Sequence, residues 1–126
     1  MRTFFIIPLV LMSLVSFPSW GETLRDLVKR EGVFYKRFTD VPFTGKVEGK
    51  QRGSIKNGWR EGSWEYYYEN GQLRRKVNYK KGVSWGSSIA YHNNGKLRYK
   101  GDYKNGEREG YWEHYYDNGQ LEEKGS

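Results

Sequence analysis

Residues 53–76 read GSIKNGWREGSWEYYYENGQLRRK, and two further blocks follow in the same pattern without a gap. The period is 24 residues: unit one is Gly53–Lys76, unit two Val77–Lys100 and unit three Gly101–Lys124, with Gly125-Ser126 opening a fourth. Gly58, Gly82 and Gly106 correspond, as do Gly62, Gly86 and Gly110. Tyr67, Tyr91 and Tyr115 correspond and lead into Asn70-Gly71, Asn94-Gly95 and Asn118-Gly119; Leu73, Leu97 and Leu121 follow. A fixed period of this kind marks a repeat architecture. In such an array each unit buries its apolar side only by stacking on its neighbours.

Each unit reads as a β-hairpin. Asn-Gly between alternating apolar residues is the strongest short hairpin signal, because both central residues of a type I′ turn need positive φ. With Asn70-Gly71 as a two-residue turn, Tyr68 is expected opposite Leu73, Tyr67 opposite Arg74, Glu65 opposite Lys76 and Trp64 opposite Val77. The same rule sets His92 against Leu97, His114 against Glu123, Glu113 against Lys124 and Trp112 against Gly125. Along the second strand, Leu73, Val77 and Tyr79 point one way and Arg74, Lys76, Asn78 and Lys80 the other. That is a sheet with one apolar and one polar face. Gly58–Gly62 is expected as a longer loop between hairpins. The fold class is therefore all-β: an elongated single-layer antiparallel meander of repeated hairpins.

A degenerate unit, about residues 32–52, precedes the three regular ones. Glu31-Gly32-Val33-Phe34 aligns with Glu61-Gly62-Ser63-Trp64. Phe38 then aligns with Tyr68, Asp40 with Asn70, Phe43 with Leu73 and Val47 with Val77. An atypical first unit suits the cap of an array. Upstream, Leu27–Arg30 fits either a short strand turned by Glu31-Gly32 into Val33–Phe38, or a helical turn capped by Thr23 and Asp26.

Residues 1–21 have the layout of a secretory signal peptide. Arg2 supplies the positive start, Phe4–Val15 the apolar run, and Ser19-Trp20-Gly21 the small residues of a cleavage site before Glu22. The run is too short to span a bilayer as a helix. The expected location is periplasmic or secreted, with a repeat domain over 22–126. The 126 residues carry a net charge of +7 and no cysteine. Stability in an oxidising compartment must then come from packing rather than disulfides, and a cysteine-linked lipid anchor is excluded. Eleven tyrosines and sixteen glycines, with few aliphatics after residue 21, suit short strands and tight turns.

The run Tyr103-Lys104-Asn105-Gly106-Glu107-Arg108-Glu109-Gly110, then Trp112, then Tyr115-Tyr116-Asp117-Asn118-Gly119, resembles the MORN repeat in its bacterial variant; Ile55–Gly71 carries the same core. The similarity covers roughly Gly32–Gly125. It differs from the eukaryotic pattern in having Trp64 and Trp112 where glycine is usual. The resemblance implies a binding or scaffold module. Bacterial members of the YwqK group are labelled antitoxin-like, and eukaryotic MORN proteins are linked with membranes, phosphoinositides and protein assembly. Fold alone does not fix function.

Nothing in the sequence assembles a catalytic centre. His92 occupies the slot of Tyr116 and His114 that of Tyr66, so both read as substitutions in a repeating slot. Without Cys or clustered Asp they make no zinc site. The glycine-rich spacings fall on repeat turns and open no helix, which removes the phosphate-loop reading. No cofactor or metal is expected, and no enzymatic activity.

Three surface features remain. An aromatic stripe of Trp64, Tyr66, Tyr68, Leu73, Val77 and Tyr79 reads as the core, with part of it open as a shallow groove. In unit two Ser88 and Ala90 replace the large residues and Gly101 faces Ser88. Trp85 is placed in the neighbouring loop. Either Trp85 fills the gap, or Trp64, Trp85 and Trp112 wall a pocket. Lastly, Lys56, Lys80 and Lys104 recur at the period, as do Lys76, Lys100 and Lys124, beside Tyr67, Tyr91 and Tyr115. These ladders fit a solvated face that discourages edge aggregation or a surface for anionic partners. The expected function is an exported binding or scaffold module for a protein partner in the cell envelope. The alternatives are an antitoxin or immunity protein and attachment to anionic membrane. Export disfavours nucleic acid, although the tyrosines could stack bases.

Overall fold

A computed structural model describes residues 21–126 of the chain. The expected signal peptide lies outside the described residues, apart from Gly21. A short 3-10 turn, Leu24–Asp26, leads into β1 (Leu27–Arg30) and β2 (Val33–Lys36). Then come β3 (Gly45–Val47), β4 (Gln51–Lys56), β5 (Trp59–Tyr67), β6 (Leu73–Lys80), β7 (Val83–Tyr91), β8 (Leu97–Lys104), β9 (Glu107–Tyr115) and β10 (Leu121–Gly125). β3 to β10 form one eight-stranded antiparallel sheet in strict chain order, and β1–β2 pair separately. The meander is open, with β3 and β10 at its two ends. Both options for residues 23–30 are realised in succession. The Asp26 carboxylate accepts from the Thr23 amide at 3.0 Å and hydroxyl at 2.9 Å, and the strand follows at once. Those bonds hold the Asp26 carboxyl below its usual pKa.

The hairpin turns are exchanged relative to the sequence expectation. In the sheet the type I′ positions, with two successive positive φ angles, are Asn57-Gly58 (50° and 86°), Lys81-Gly82 (47° and 80°) and Asn105-Gly106 (53° and 82°), and Glu31-Gly32 (51° and 84°) joins β1 to β2 in the same way. The expected loop at Gly58–Gly62 is therefore a tight turn followed at once by β5. Gly62 lies inside that strand at φ 77°, where the register with β4 slips between Arg52 and Ser54. At Asn70-Gly71 only Gly71 has positive φ. The Gly71 amide donates to the Tyr68 carbonyl and the Tyr68 amide to the Gln72 carbonyl. This is the three-residue loop in which a type I turn ends on a left-handed glycine.

The pairing near that loop changes accordingly. Tyr67 faces Leu73 rather than Arg74, and a bulge then restores Trp64 opposite Val77 and Glu65 opposite Lys76. The bulge puts Leu73 with Tyr67 rather than with Val77, and Leu73 takes no part in the apolar cluster. Arg75, opposite Tyr66, occupies the apolar face instead, 4.5 Å from that ring. In unit two the His92 amide donates to the Lys96 carbonyl, so His92 faces Lys96 and not Leu97. His114 faces Glu123, Glu113 faces Lys124 and Trp112 faces Gly125, as the sequence predicts.

The core gathers Leu27, Phe34, Val47, Ile55, Trp64, Tyr66 and Val77, with Leu24, Phe43 and Tyr79 against them. Leu27 and Phe34 bring β1–β2 onto the apolar face of the sheet's first half. Backbone bonds lock the cover in place: the Phe34 amide donates to Gly58, Gly58 to Phe43 and Phe43 to Phe34. Phe34 and Val47 thus enter the core as their alignment with Trp64 and Val77 suggests. Their strands do not pair with each other, however: β2 pairs with β1 and β3 with β4. Phe38 departs from its alignment with Tyr68, standing 99% exposed.

Candidate functional site

The apolar face is largely filled from within. The Trp64 indole lies over Gly53, and its Nε1 donates to the Ser54 carbonyl at 2.9 Å. Trp112 repeats this over Gly101, donating to the Asp102 carbonyl at 3.1 Å. Gly101 is therefore the seat of Trp112, not one wall of a gap. Arg60 lies over the rings of Phe34, Trp64 and Tyr79 at 4.9–5.7 Å, and Arg108 lies 4.3 Å from Trp112. Burial and a hydrogen bond with Tyr66 push the Tyr79 phenol up to about 12.

Trp85 sits within β7, not in a loop. Its ring lies 4.3 Å from the Lys80 ammonium, on the opposite face from Trp64 and Trp112. The structure does not bring the three tryptophans together. A shallow concavity beside Ser88 and Gly101 is lined instead by Ser87, Ile89, Lys100, Asp102, Tyr111 and Glu113.

The polar face carries the other candidates. Cross-strand partners form one continuous row from β4 to β10: Arg52, Glu65, Lys76, Ile89, Lys100, Glu113, Lys124. Positive and negative side chains alternate along it except at Ile89. Tyr67, Tyr91 and Tyr115 lie two residues further along β5, β7 and β9. The Tyr67 hydroxyl donates to Glu65 at 2.8 Å and Tyr115 to Glu113 at 2.9 Å, which raises both phenol pKa values. Tyr91 has Ile89 in that place. Arg52 stacks 4.4 Å from the Tyr67 ring. Lys56, Lys80 and Lys104 stand beside the type I′ turns, on alternate strands and so about 10 Å apart. Lys56, Lys80 and Lys81 surround the partly exposed Trp59 in a second shallow concavity.

The hairpin loops at the other end form a ladder between units. The Tyr68 hydroxyl donates to the Tyr91 carbonyl at 2.7 Å, and His92 Nε2 meets the Tyr115 carbonyl at 2.9 Å. Asn70 donates to Asn93 at 3.2 Å and Asn94 to Asp117 at 2.8 Å. His92 is thus an inter-unit strut. His114 stacks on Trp112, lies tilted 5.7 Å from the Tyr99 ring and accepts from Arg108 at 3.0 Å. No group of three potential metal ligands occurs among the described residues. No described helix is long and apolar enough to cross a membrane. The geometry offers a surface rather than a cleft.

Residues 60–81, 86–105 and 108–126 each match the MORN repeat variant. By these repeats the chain belongs to the MORN repeat variant family. MORN repeats generally bind proteins and are usually non-catalytic. No curated protein and no solved structure is significantly similar to the chain.

Sequence reasoning passed over Ile89, Trp59 and the arginines of the aromatic face. A signal for Ile89 was present. Its slot holds Glu65 in unit one and Glu113 in unit three, so comparing units position by position exposes it.

Proposed function

We propose that this MORN repeat chain is an exported, non-enzymatic scaffold that binds a protein partner in the cell envelope. The observation that carries this reading is the division of labour between the two faces. The aromatic face packs against β1–β2 over the sheet's first half and, farther along, around the buried Trp112. The polar face stays open along its length, with lysines and tyrosines repeating at the hairpin period. A sheet that spends one face on stability presents the other for recognition. Export rests on residues 1–21, whose layout is that of a cleaved leader.

Two experiments test the proposal. Intact mass in fractionated cells should find a species beginning near Glu22 outside the cytoplasm; a full-length cytosolic species would overturn export and favour the antitoxin alternative. A photo-crosslinking residue at Ser87, on the polar face, should give a discrete protein adduct, whereas one at Arg75, among the packed aromatics, should not. Crosslinks to lipid alone would instead point to membrane attachment. Raised salt separates the same two cases, since screening within about 8 Å at physiological ionic strength weakens a lysine-only contact most.

A further inference from the structure

Unit two differs from its neighbours on the open face. Units one and three place glutamates at Glu61 and Glu65, and at Glu109 and Glu113. Unit two has Trp85 and Ile89 at those positions, both on β7. Lys76 and Lys100 face Ile89 from the two adjoining strands. Lys80 and Lys104 stand further along the same strands. Among the described residues Lys76, Lys80 and Lys104 form no ion pair, and Lys100 reaches only Glu113, at 3.7 Å. β7 is therefore an apolar strip between two rows of cations that meet acids only on their outer sides: Lys76 faces Glu65, Lys100 faces Glu113 and Lys104 faces Glu107.

Resting on the scaffold reading, we propose that this strip docks an extended acidic segment of the partner protein, with one carboxylate over Ile89 between Lys76 and Lys100. Such a carboxylate supplies the negative charge missing from the alternating row. Lys76 and Lys100 are two strand spacings apart, about 10 Å. Their flexible four-carbon stems let both ammonium groups converge on one anion between them. A second carboxylate belongs beside Trp85, between Lys80 and Lys104. The position between, over Ser87, is not acidic, because Asp102 faces Ser87 from β8. Ile89 and Trp85 are four residues apart on one strand, so the docked segment carries acids four residues apart. Glu61 and Glu65 on β5, with Glu109 and Glu113 on β9, bound the strip on both sides. Those acids repel a continuous anionic plane and admit a narrow ligand, which favours a peptide over a membrane surface.

The test uses the full chain without its leader and a fluorescein-labelled peptide with glutamates four residues apart among threonines and valines. The control peptide has glutamine at both positions. Fluorescence anisotropy should show at least ten-fold tighter binding of the glutamate peptide. Ile89→Glu and Trp85→Glu restore the residues that units one and three already carry in the same slots. Each should weaken binding ten-fold or more while Tm holds or rises. Should either variant misfold, Lys76→Gln on the exposed face gives the same readout without touching β7. Equal affinity for the two peptides, wild-type binding by Ile89→Glu, or displacement of the peptide by phosphatidylglycerol vesicles would each overturn the strip. A protein adduct at Ser87 that persists in Ile89→Glu would overturn the strip and leave the scaffold reading standing. Loss of all protein adducts in the wild type would overturn the scaffold reading itself.

Discussion

Trp64 and Gly53 share one space: the indole lies where a β-carbon on Gly53 would project. Trp112 and Gly101 repeat the relationship. Unit two inverts it, with Val77 opposite Ser88. Large against absent side chain in units one and three becomes medium against small in unit two, so the layer keeps its thickness. Close-packed interiors enforce such exchanges because neither voids nor overlaps are tolerated cheaply.

Gly53→Ala and Gly101→Ala should each destabilise by about 1–3 kcal/mol through overpacking. Gly62→Ala differs in kind. Nothing lies within 4 Å of its added β-carbon, and only the φ of 77° resists substitution. Urea unfolding should show all three losses. In Gly53→Ala and Gly101→Ala, but not in Gly62→Ala, the near-ultraviolet circular dichroism of the seated tryptophan should also change.

Ser88→Trp should be strongly destabilising alone, and Val77→Gly should recover part of the loss when combined with it. Contacting residues couple by about 0.5–3 kcal/mol. A double-mutant cycle with no coupling would contradict the seat relationship. Ser88→Ala should be neutral or slightly stabilising, since the buried Ser88 hydroxyl has no hydrogen-bond partner.

The loop ladder predicts a graded asparagine series. Asn70→Ala and Asn94→Ala each lose two bonds, one to the next unit and one within the loop. Each should cost about 1 kcal/mol or somewhat more. Asn118→Ala loses only its bond from the Gln120 amide and should cost less. Thermal melts of the three variants give the order directly.

Alkaline pH should unfold the protein early. The Tyr79 phenol is pushed up to about 12 from an ordinary value of 10.0. Between those values the unfolded chain loses its proton while the folded chain keeps it, so stability falls as pH rises through that window and is intact below it. Tyr79→Phe should flatten this slope. Unfolding by chemical denaturant at pH 9, 10 and 11 would show it; an unchanged slope would contradict the shift.

Much of the molecule is legible in the sequence. The period of 24 residues gives the number of hairpins, their order and the antiparallel meander. Alternation within Leu73–Lys80 separates the two faces except near the bulge. Each unit carries two turn signals, Asn57-Gly58 and Asn70-Gly71 in unit one, and the dipeptide does not say which is type I′. Loop length and bulge decide that, and they are set when the strands pair. Trp85 was misplaced for the same reason, because the tight turn at Lys81-Gly82 draws it into β7.

The sequence by itself determined that this protein is a repeating β-hairpin array, because periodic spacing of glycine, aromatic and lysine residues acts locally and survives in every unit. Only the tertiary structure decided which neighbour each side chain meets. It seated Trp112 on Gly101, sent Trp85 to Lys80 and set Ile89 between Lys76 and Lys100. Those partners lie on adjoining strands, and a shift of one residue at a bulge reassigns them all.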